Sequence, residues 1–391
     1  METDRLKATV AEEVDALRSE LVELSLRIHR NPEIAFEEVK ASAWLAEYLE
    51  QKGFAVETGI CELATAFKAT YGSGRPVVAL LAEYDALPDV GHACGHNIIG
   101  TAAVGAGCAA RKAVDAIGGT VMVVGTPAEE AYGGKVFLAE RGAFDGVDAA
   151  MIVHPHVVDR ASTRFLALIR LEVEFHGKAA HAASDPHRGI NALEAMIQAY
   201  NGINSLRQHI PERCRVHGII TDGGQAANIV PAYTAGEFLI RAETEAELND
   251  LKERVLNCFE AAALATGARL EHQWFAYYAP LNPNFALAEL FAANLESLGR
   301  TVLPAMRRGL GSSDVGNVSV LVPTIHPVVA IAPHGVTPHT PAFAEAAASE
   351  AGHQGLVDGA KAMAMTVVDL IAEPEAMQRV KDEFAADSAV R

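Results

Sequence analysis

Apolar residues at Val14, Leu17, Leu21, Leu24 and Ile28 recur at helical spacing until Asn31-Pro32 interrupts them, so an amphipathic helix is expected at the start of the chain. A second helix is expected from about residue 37 to 51, with Gly53 ending it. Residues 76–82 are a short continuous apolar run, the pattern of a buried strand. The same pattern returns at residues 119–125, 147–153 and 327–332. Strands alternating with helices predict an α/β sheet, in which ligands bind beyond the carboxyl ends of the strands.

Between the third and fourth runs the rhythm changes. Residues 168–175 alternate apolar and polar like a strand, 191–208 are helical, and 215–221 and 232–241 read as strands. A long helix at 245–266 and a last strand at 269–277 complete the order βαββαβ, that of a ferredoxin-like unit. The predicted fold is therefore α/β, with a mixed-sheet catalytic domain made of residues 1–167 and 279–391 and an inserted domain at 168–278. No internal repeat or low-complexity segment is visible.

The residues after each apolar run carry the chemistry. The first run leads into Glu83 and Asp85, then His92, Cys94 and His96; the second into Glu129 and Glu130. The third leads into His154 and His156, and the fourth into His334 and His339. Carboxylate, imidazole and thiolate are the groups that hold divalent metals. A lone Cys or His beside a strand is more often core packing. The weight lies in the recurrence, because four strand ends would bring ligand-type residues to one edge. Glu129 and Glu130 project in different directions, so the pair can divide into metal ligand and general base. His92 reads as a supporting or structural loop residue.

With 391 residues the chain exceeds what one hydrophobic core usually supports, consistent with two domains. The net charge of −18, without clustered Lys and Arg, excludes a nucleic-acid partner. The N-terminus lacks the apolar core of a signal peptide and no later run is long enough to span a bilayer, so no membrane partner and a cytoplasmic location are expected. Five scattered cysteines, Cys61, Cys94, Cys108, Cys214 and Cys258, suit a reducing compartment. All but Cys94 read as small buried hydrophobes.

A series of motifs in fixed order resembles the aminoacylase and carboxypeptidase-G family of dinuclear metallopeptidases, in its amidohydrolase branch with aminobenzoyl-glutamate hydrolases and the Xaa-Arg or β-alanyl dipeptidases. The series comprises Ile28-His29-Arg30-Asn31-Pro32-Glu33, Tyr84-Asp85-Ala86-Leu87-Pro88, His92 to Asn97, and Thr126 to Glu130. It continues through Gly177-Lys178-Ala179-Ala180-His181-Ala182-Ala183, Asn228-Ile229-Val230-Pro231, Ser312 to Asn317 and Ile325-His326-Pro327.

The resemblance implies that Cys94, His96, Glu130, His154 and His339 are metal ligands and that Glu129 is the catalytic carboxylate. It implies two divalent ions in each protomer. Thiolate and imidazole favour zinc, and a carboxylate-rich site also admits manganese or cobalt. His181 matches a histidine that reaches the active site, in many members from the partner protomer, which makes the insertion a lid and dimerisation domain of a homodimer. Asn228, Arg241 and Ser312 match substrate contacts.

Two departures stand out. Glu83 occupies the place of a histidine that many relatives use as a ligand, so a ligand is replaced or the metal set differs. Asn97 replaces the aspartate commoner in the wider branch, as in the aminobenzoyl-glutamate and dipeptidase subgroup.

The expected reaction is hydrolysis of an amide in an N-acyl amino acid or small dipeptide by activated water, with Glu129 as general base. Dipeptides of the Xaa-Arg, Xaa-Lys or β-alanyl type are the alternative substrates. A deaminase would also pair Cys and His ligands with a glutamate, but the chain has no Pro-Cys-x-x-Cys. A catalytically silent ligand-binding relative is the remaining alternative.

Overall fold

The N-terminal apolar stripe forms α1 (Glu2–His29), which buries Val10, Val14, Leu17, Leu21, Leu24 and Ile28. This is seen in a computed structural model that describes residues 2–388. Helix α2 (Val39–Gln51) leads to strands β1 (Ala55–Thr58), β2 (Phe67–Ser73) and β3 (Val77–Ala82). Helix α3 (His96–Ile117) follows, then β4 (Gly119–Gly125), α4 (Gly134–Glu140), β5 (Ala149–Met151) and β6 (His154–His156). Every residue of α3 from His96 to Ala110 is buried, as expected of a helix that is small and apolar all round.

The chain then enters a second compact unit, Phe165–Pro280. Its elements are β7 (Ala167–His176), α5 (Ala192–Leu206), β8 (Arg215–Asp222), β9 (Tyr233–Ala242), α6 (Glu245–Thr266) and β10 (Arg269–Tyr278). The strands form an antiparallel sheet in the order β10-β7-β9-β8, the ferredoxin-like arrangement. Alternate residues of β7 (Ile169, Leu171, Val173, Phe175) pack with Met196 and Ile203 of α5 and Val255 and Phe259 of α6 in a core of their own. A capping box between Thr244 and Glu247 starts α6, and Gly267 in the left-handed conformation ends it.

The first unit resumes with α7 (Phe285–Ser297), α8 (Val315–Ser319), β11 (Thr324–Ile325), β12 (Val328–Ala330), α9 (Pro341–Ala347), α10 (Glu350–Ala372) and α11 (Pro374–Ser388). Its six-stranded sheet runs β1-β2-β4-β3-β5-β11. The pairs β1/β2 and β2/β4 are antiparallel, and the pairs from β4 to β11 are parallel. The carboxyl ends of β3, β4, β5 and β11 therefore share one edge.

Two expectations change here. The run at 327–332 is not the fourth strand of this sheet. The strand that reaches the edge is β11, and β12 lies beyond Pro327 and pairs with β6 in a separate two-stranded sheet. Proline lacks the N–H a ladder needs, which marks the break. Of the cysteines expected to be buried, Cys108 and Cys214 are, whereas Cys61 and Cys258 are half-buried. Among the described residues no helix is long and apolar enough to cross a membrane.

Candidate metal centre

Ligand-type side chains gather where the parallel strands end. The stretch after β3 leads through a loop to Cys94. Gly95, with φ 80°, then turns the chain into α3, of which His96 is the first residue. Only glycine takes that conformation without steric cost. The thiol of Cys94 lies 3.4 Å from Nε2 of His154. The other ring nitrogen of His154 donates to the carbonyl of Pro155 at 2.7 Å, which fixes the tautomer and leaves Nε2 with its lone pair. His339 has φ 66°, and its amide donates to the carbonyl of Ala93 at 2.9 Å. Its Nε2 stands 3.4 Å from Oε1 of Glu130.

Asp85 organises the centre from beneath. One oxygen lies 2.9 Å from Nδ1 of His96, and the other accepts the amide of Glu130 at 2.9 Å. A carboxylate behind an imidazole orients the ring and raises its basicity as a ligand. His96 Nε2 and Glu130 Oε1 are buried and have no hydrogen-bond partner among the described residues. Two buried ligand-type atoms that make no hydrogen bond of their own, 3.7 Å apart, are what a bound cation would satisfy. The ligand atoms of Cys94, His96 and His154 all lie within 4.8 Å of one another, as do those of Cys94, Glu130 and His339. Cys94 is common to both sets, and the mixture of thiolate, imidazole and carboxylate fits a pair of divalent ions. Glu129 also lies within 4.8 Å of His96 and Glu130.

The electrostatics agree with a cation site. Burial opposes charge on His96, yet Asp85 and Cys94 outweigh it and hold its proton affinity well above the ordinary value. Burial pushes His154 down to about 3, so its ring is neutral and available as a ligand. Burial, then the carboxylates of Glu83 and Glu130, keep Glu129 well above the usual carboxylate range. Glu130 is held below it by His339 and His96, against the cost of burial.

Glu83 turns mainly to a different partner. Its Oε1 lies 2.5 Å from Nζ of Lys135, which lies 2.8 Å from Oδ1 of Asp314. Its Oε2 is 3.6 Å from His96 Nε2. All three charged groups are buried. Sequence reasoning misses Lys135 and Asp314. The available signal is a lysine inside the apolar stretch Gly134 to Leu138, where a lone charge needs a partner. His326, which follows β11, stands out in the sequence only as part of a motif. Its ring lies 5.3 Å from that of His154. His92 is buried and stacks on His29 at 6.0 Å, and His334 is exposed and belongs to no ligand set among the described residues.

Of the other expected site residues, Ser312 is half-buried and precedes Asp314 by two positions. In the second unit, the segments of His181 and Asn228 pair: the amide of Ala182 donates to the carbonyl of Asn228 at 3.0 Å. His181 is exposed, and its Nδ1 accepts the amides of Ala183 and Ser184, both at 3.2 Å, so Nε2 carries the proton. Arg241 is half-buried near the far end of the ten-residue strand β9, whose other end follows the Asn228 segment. That separates it from the His181 and Asn228 pair by roughly 25 Å along the strand.

Residues 167–266 match the family described as peptidase dimerisation domain. The Xaa-Arg dipeptidase of Mus musculus is 38% identical over 401 residues, covering 98% of this chain and 93% of that protein. A polypeptide of the p-aminobenzoyl-glutamate hydrolase of Escherichia coli is 37% identical over 307 residues, covering 73% of this chain and 64% of that polypeptide. Among solved structures, the aminobenzoyl-glutamate utilization protein of Klebsiella pneumoniae aligns with a TM-score of 0.73 at 19% identity, covering 92% of this chain and 98% of that one. A dinuclear metal binding peptidase from Bacillus subtilis aligns with a TM-score of 0.70 at 21% identity, covering 92% and 99%. Identity of 38% across nearly the whole length, with the ligand constellation above, assigns the chain: it belongs to the aminoacylase and carboxypeptidase-G family of metallopeptidases and is a metal-dependent amidohydrolase or dipeptidase.

Proposed function

We propose that the protein hydrolyses the amide bond of an N-acyl amino acid, such as aminobenzoyl-glutamate, or of a small dipeptide. The observation that carries this reading is the pair of ligand sets sharing Cys94, with Glu129 beside them. Cys94, His96 and His154 would hold one divalent ion, and Cys94, Glu130 and His339 a second, zinc being favoured over manganese or cobalt by the thiolate and imidazoles. Such ions make water nucleophilic near neutral pH and polarise a carbonyl. Glu129 takes the proton of the attacking water and passes it to the leaving amine. His181 offers its Nε2–H to the oxyanion that develops on the substrate carbonyl. Asn228, Arg241 and Ser312 contact the substrate, Arg241 through its carboxylate.

The insertion at 168–278 acts as a lid and as the interface of a homodimer. The roughly 25 Å between Arg241 and the His181–Asn228 pair supports a site assembled from two chains, since one small substrate cannot reach both ends of β9. Mixing a His181→Ala protein with a Glu129→Gln protein tests this: recovered activity means that His181 acts in trans, and none means that it serves its own chain. The odd, unpaired cysteine set supports a cytoplasmic location.

A second reading, a dipeptidase for substrates ending in Arg or Lys or beginning with β-alanine, is favoured by the longer span of similarity to the Xaa-Arg dipeptidase, 98% of the chain against 73%. A hydrolysis screen of the zinc-loaded and manganese-loaded protein against aminobenzoyl-glutamate, N-acetyl amino acids, and dipeptides ending in Arg or Lys or beginning with β-alanine separates the two. Release of free amino acid from at least one class is expected. No release from any, with metal bound, would leave the silent ligand-binding relative as the better reading.

A further inference from the structure

The motif that follows α1 supplies no ligand, yet its residues reach the catalytic loop. Glu33 accepts the amides of Lys40 and Ala41 with its carboxylate, at 2.8 and 3.0 Å, and so caps the first turn of α2. Its carbonyl accepts the amide of Ala86 at 2.8 Å, one residue past Asp85. Phe36 stacks on Tyr132 with ring centroids 5.6 Å apart. Glu38, at the start of α2, does not cap that helix. Its side chain turns inward and is wholly buried. One oxygen accepts the amide of Ala128 at 2.8 Å and the other the hydroxyl of Thr65 at 3.0 Å.

Ala128 is the residue before Glu129, and its φ of 61° lies in the left-handed region. For a residue with a side chain that conformation costs about 1–3 kcal/mol and persists only where the surroundings impose it. Here they impose it from both sides: Glu38 holds the amide, and the carbonyl accepts the amide of Gly133 at 2.9 Å. The turn is tight, since a Cβ on Gly134 would meet the carbonyl oxygen of Pro127 at 1.9 Å. On the other side of Glu129, Asp85 holds the amide of Glu130. The peptide bearing Glu129 is thus pinned at both neighbours by buried carboxylates.

We infer that Glu38 is a positioning residue for the reaction: it holds the left-handed turn at Ala128 and thereby the direction of the Glu129 carboxylate. This rests on the reading of Glu129 as the proton-transfer group. The Glu38 carboxylate bonds to Ala128 and Thr65, neither of which is among the ligand residues. A glutamine there can still accept the Ala128 amide and reach Thr65; a leucine can do neither.

The test compares Glu38→Leu, Glu38→Gln and Glu129→Gln in the zinc-loaded protein, with aminobenzoyl-glutamate and an Ala-Arg dipeptide as probes. It reads kcat and KM separately, zinc per chain, and the circular dichroism spectrum. Glu38→Leu is expected to lose on the order of 100-fold in kcat, with KM and zinc content unchanged, because small misplacements of a reacting group carry that penalty. Glu38→Gln is expected to restore kcat to within about threefold of the parent.

The inference is overturned if Glu38→Leu keeps its kcat, if its loss merely tracks lost zinc, or if Glu38→Gln is as impaired as Glu38→Leu. Should Glu38→Leu not fold, Thr65→Val decides the matter, since it frees only the second oxygen. A several-fold fall in kcat at unchanged KM is then expected, and no fall overturns the inference. Full turnover in Glu129→Gln would instead overturn the role of Glu129 itself.

Discussion

Lys135 is joined to Asp314 twice: its backbone amide donates to one carboxylate oxygen at 2.9 Å and its ammonium to the other at 2.8 Å. The same ammonium neutralises Glu83, so the position where many relatives carry a ligand histidine is occupied here by half of a buried ion pair. The trio adjoins the metal centre through Glu83, 3.6 Å from His96, and its contribution is to keep two anions tolerable in a site already crowded with carboxylates.

Replacing Lys135 by Met should therefore be severe. It leaves Asp314 buried without its ammonium partner and Glu83 with only the more distant His96, 3.6 Å away, and removing one partner of a buried pair costs about 3–5 kcal/mol. Urea unfolding of the two proteins measures this. A stability within about 1 kcal/mol of the parent would mean that the carboxylates are neutral or solvated.

Asp85→Asn tests the orientation of His96. Asparagine keeps the size of the side chain but not the charge that draws the Nδ1 proton, and loss of such a partner lowers metal affinity by about 10- to 100-fold. Competition with a chromogenic chelator reads the affinity directly. Unchanged zinc affinity would remove Asp85 from the account of the centre.

Glu38 makes a pH prediction as well. Burial, and then the Asp85 carboxylate, push it from 4.5 up to about 7. The unfolded chain releases this proton near the lower value, so as pH rises between the two the folded state falls behind. The cost is absent below pH 4.5 and reaches about 3 kcal/mol above pH 7. Glu38→Gln has no proton to lose, so its melting temperature relative to the parent should rise between about pH 5 and pH 8. A constant difference across that range would contradict the assignment.

Much of this is legible in the sequence. The helical stripe of α1 and the alternation along β7 follow from side-chain periodicity, and both form the expected elements. Cys94, His96, Glu130 and His154 stand out because ligand-type residues recur after apolar runs. The supporting layer is not legible. Lys135, set in an apolar stretch, signals that it needs a partner, but Asp314 lies 179 residues away and nothing local identifies it as that partner. Glu38 looks like an ordinary acidic residue at a helix start, and only the close approach of the 128–134 turn reveals why it faces inward. The break between β11 and β12 is hidden because β11 is only the two residues Thr324–Ile325, too short to show as an apolar run, whereas the visible run begins at Pro327.

The central claim is that two ions held by ligand sets sharing Cys94 work with Glu129 to hydrolyse an amide. Its most direct test is a metal titration of chelator-stripped protein with turnover followed at each point, run in parallel on the parent and on Glu129→Gln. Hydrolysis should be absent without metal and should rise to a plateau at two zinc or manganese ions per chain. Glu129→Gln should take up the same metal with turnover lower by at least about 100-fold. Full hydrolysis by the metal-free protein, or by metal-loaded Glu129→Gln, would contradict the account.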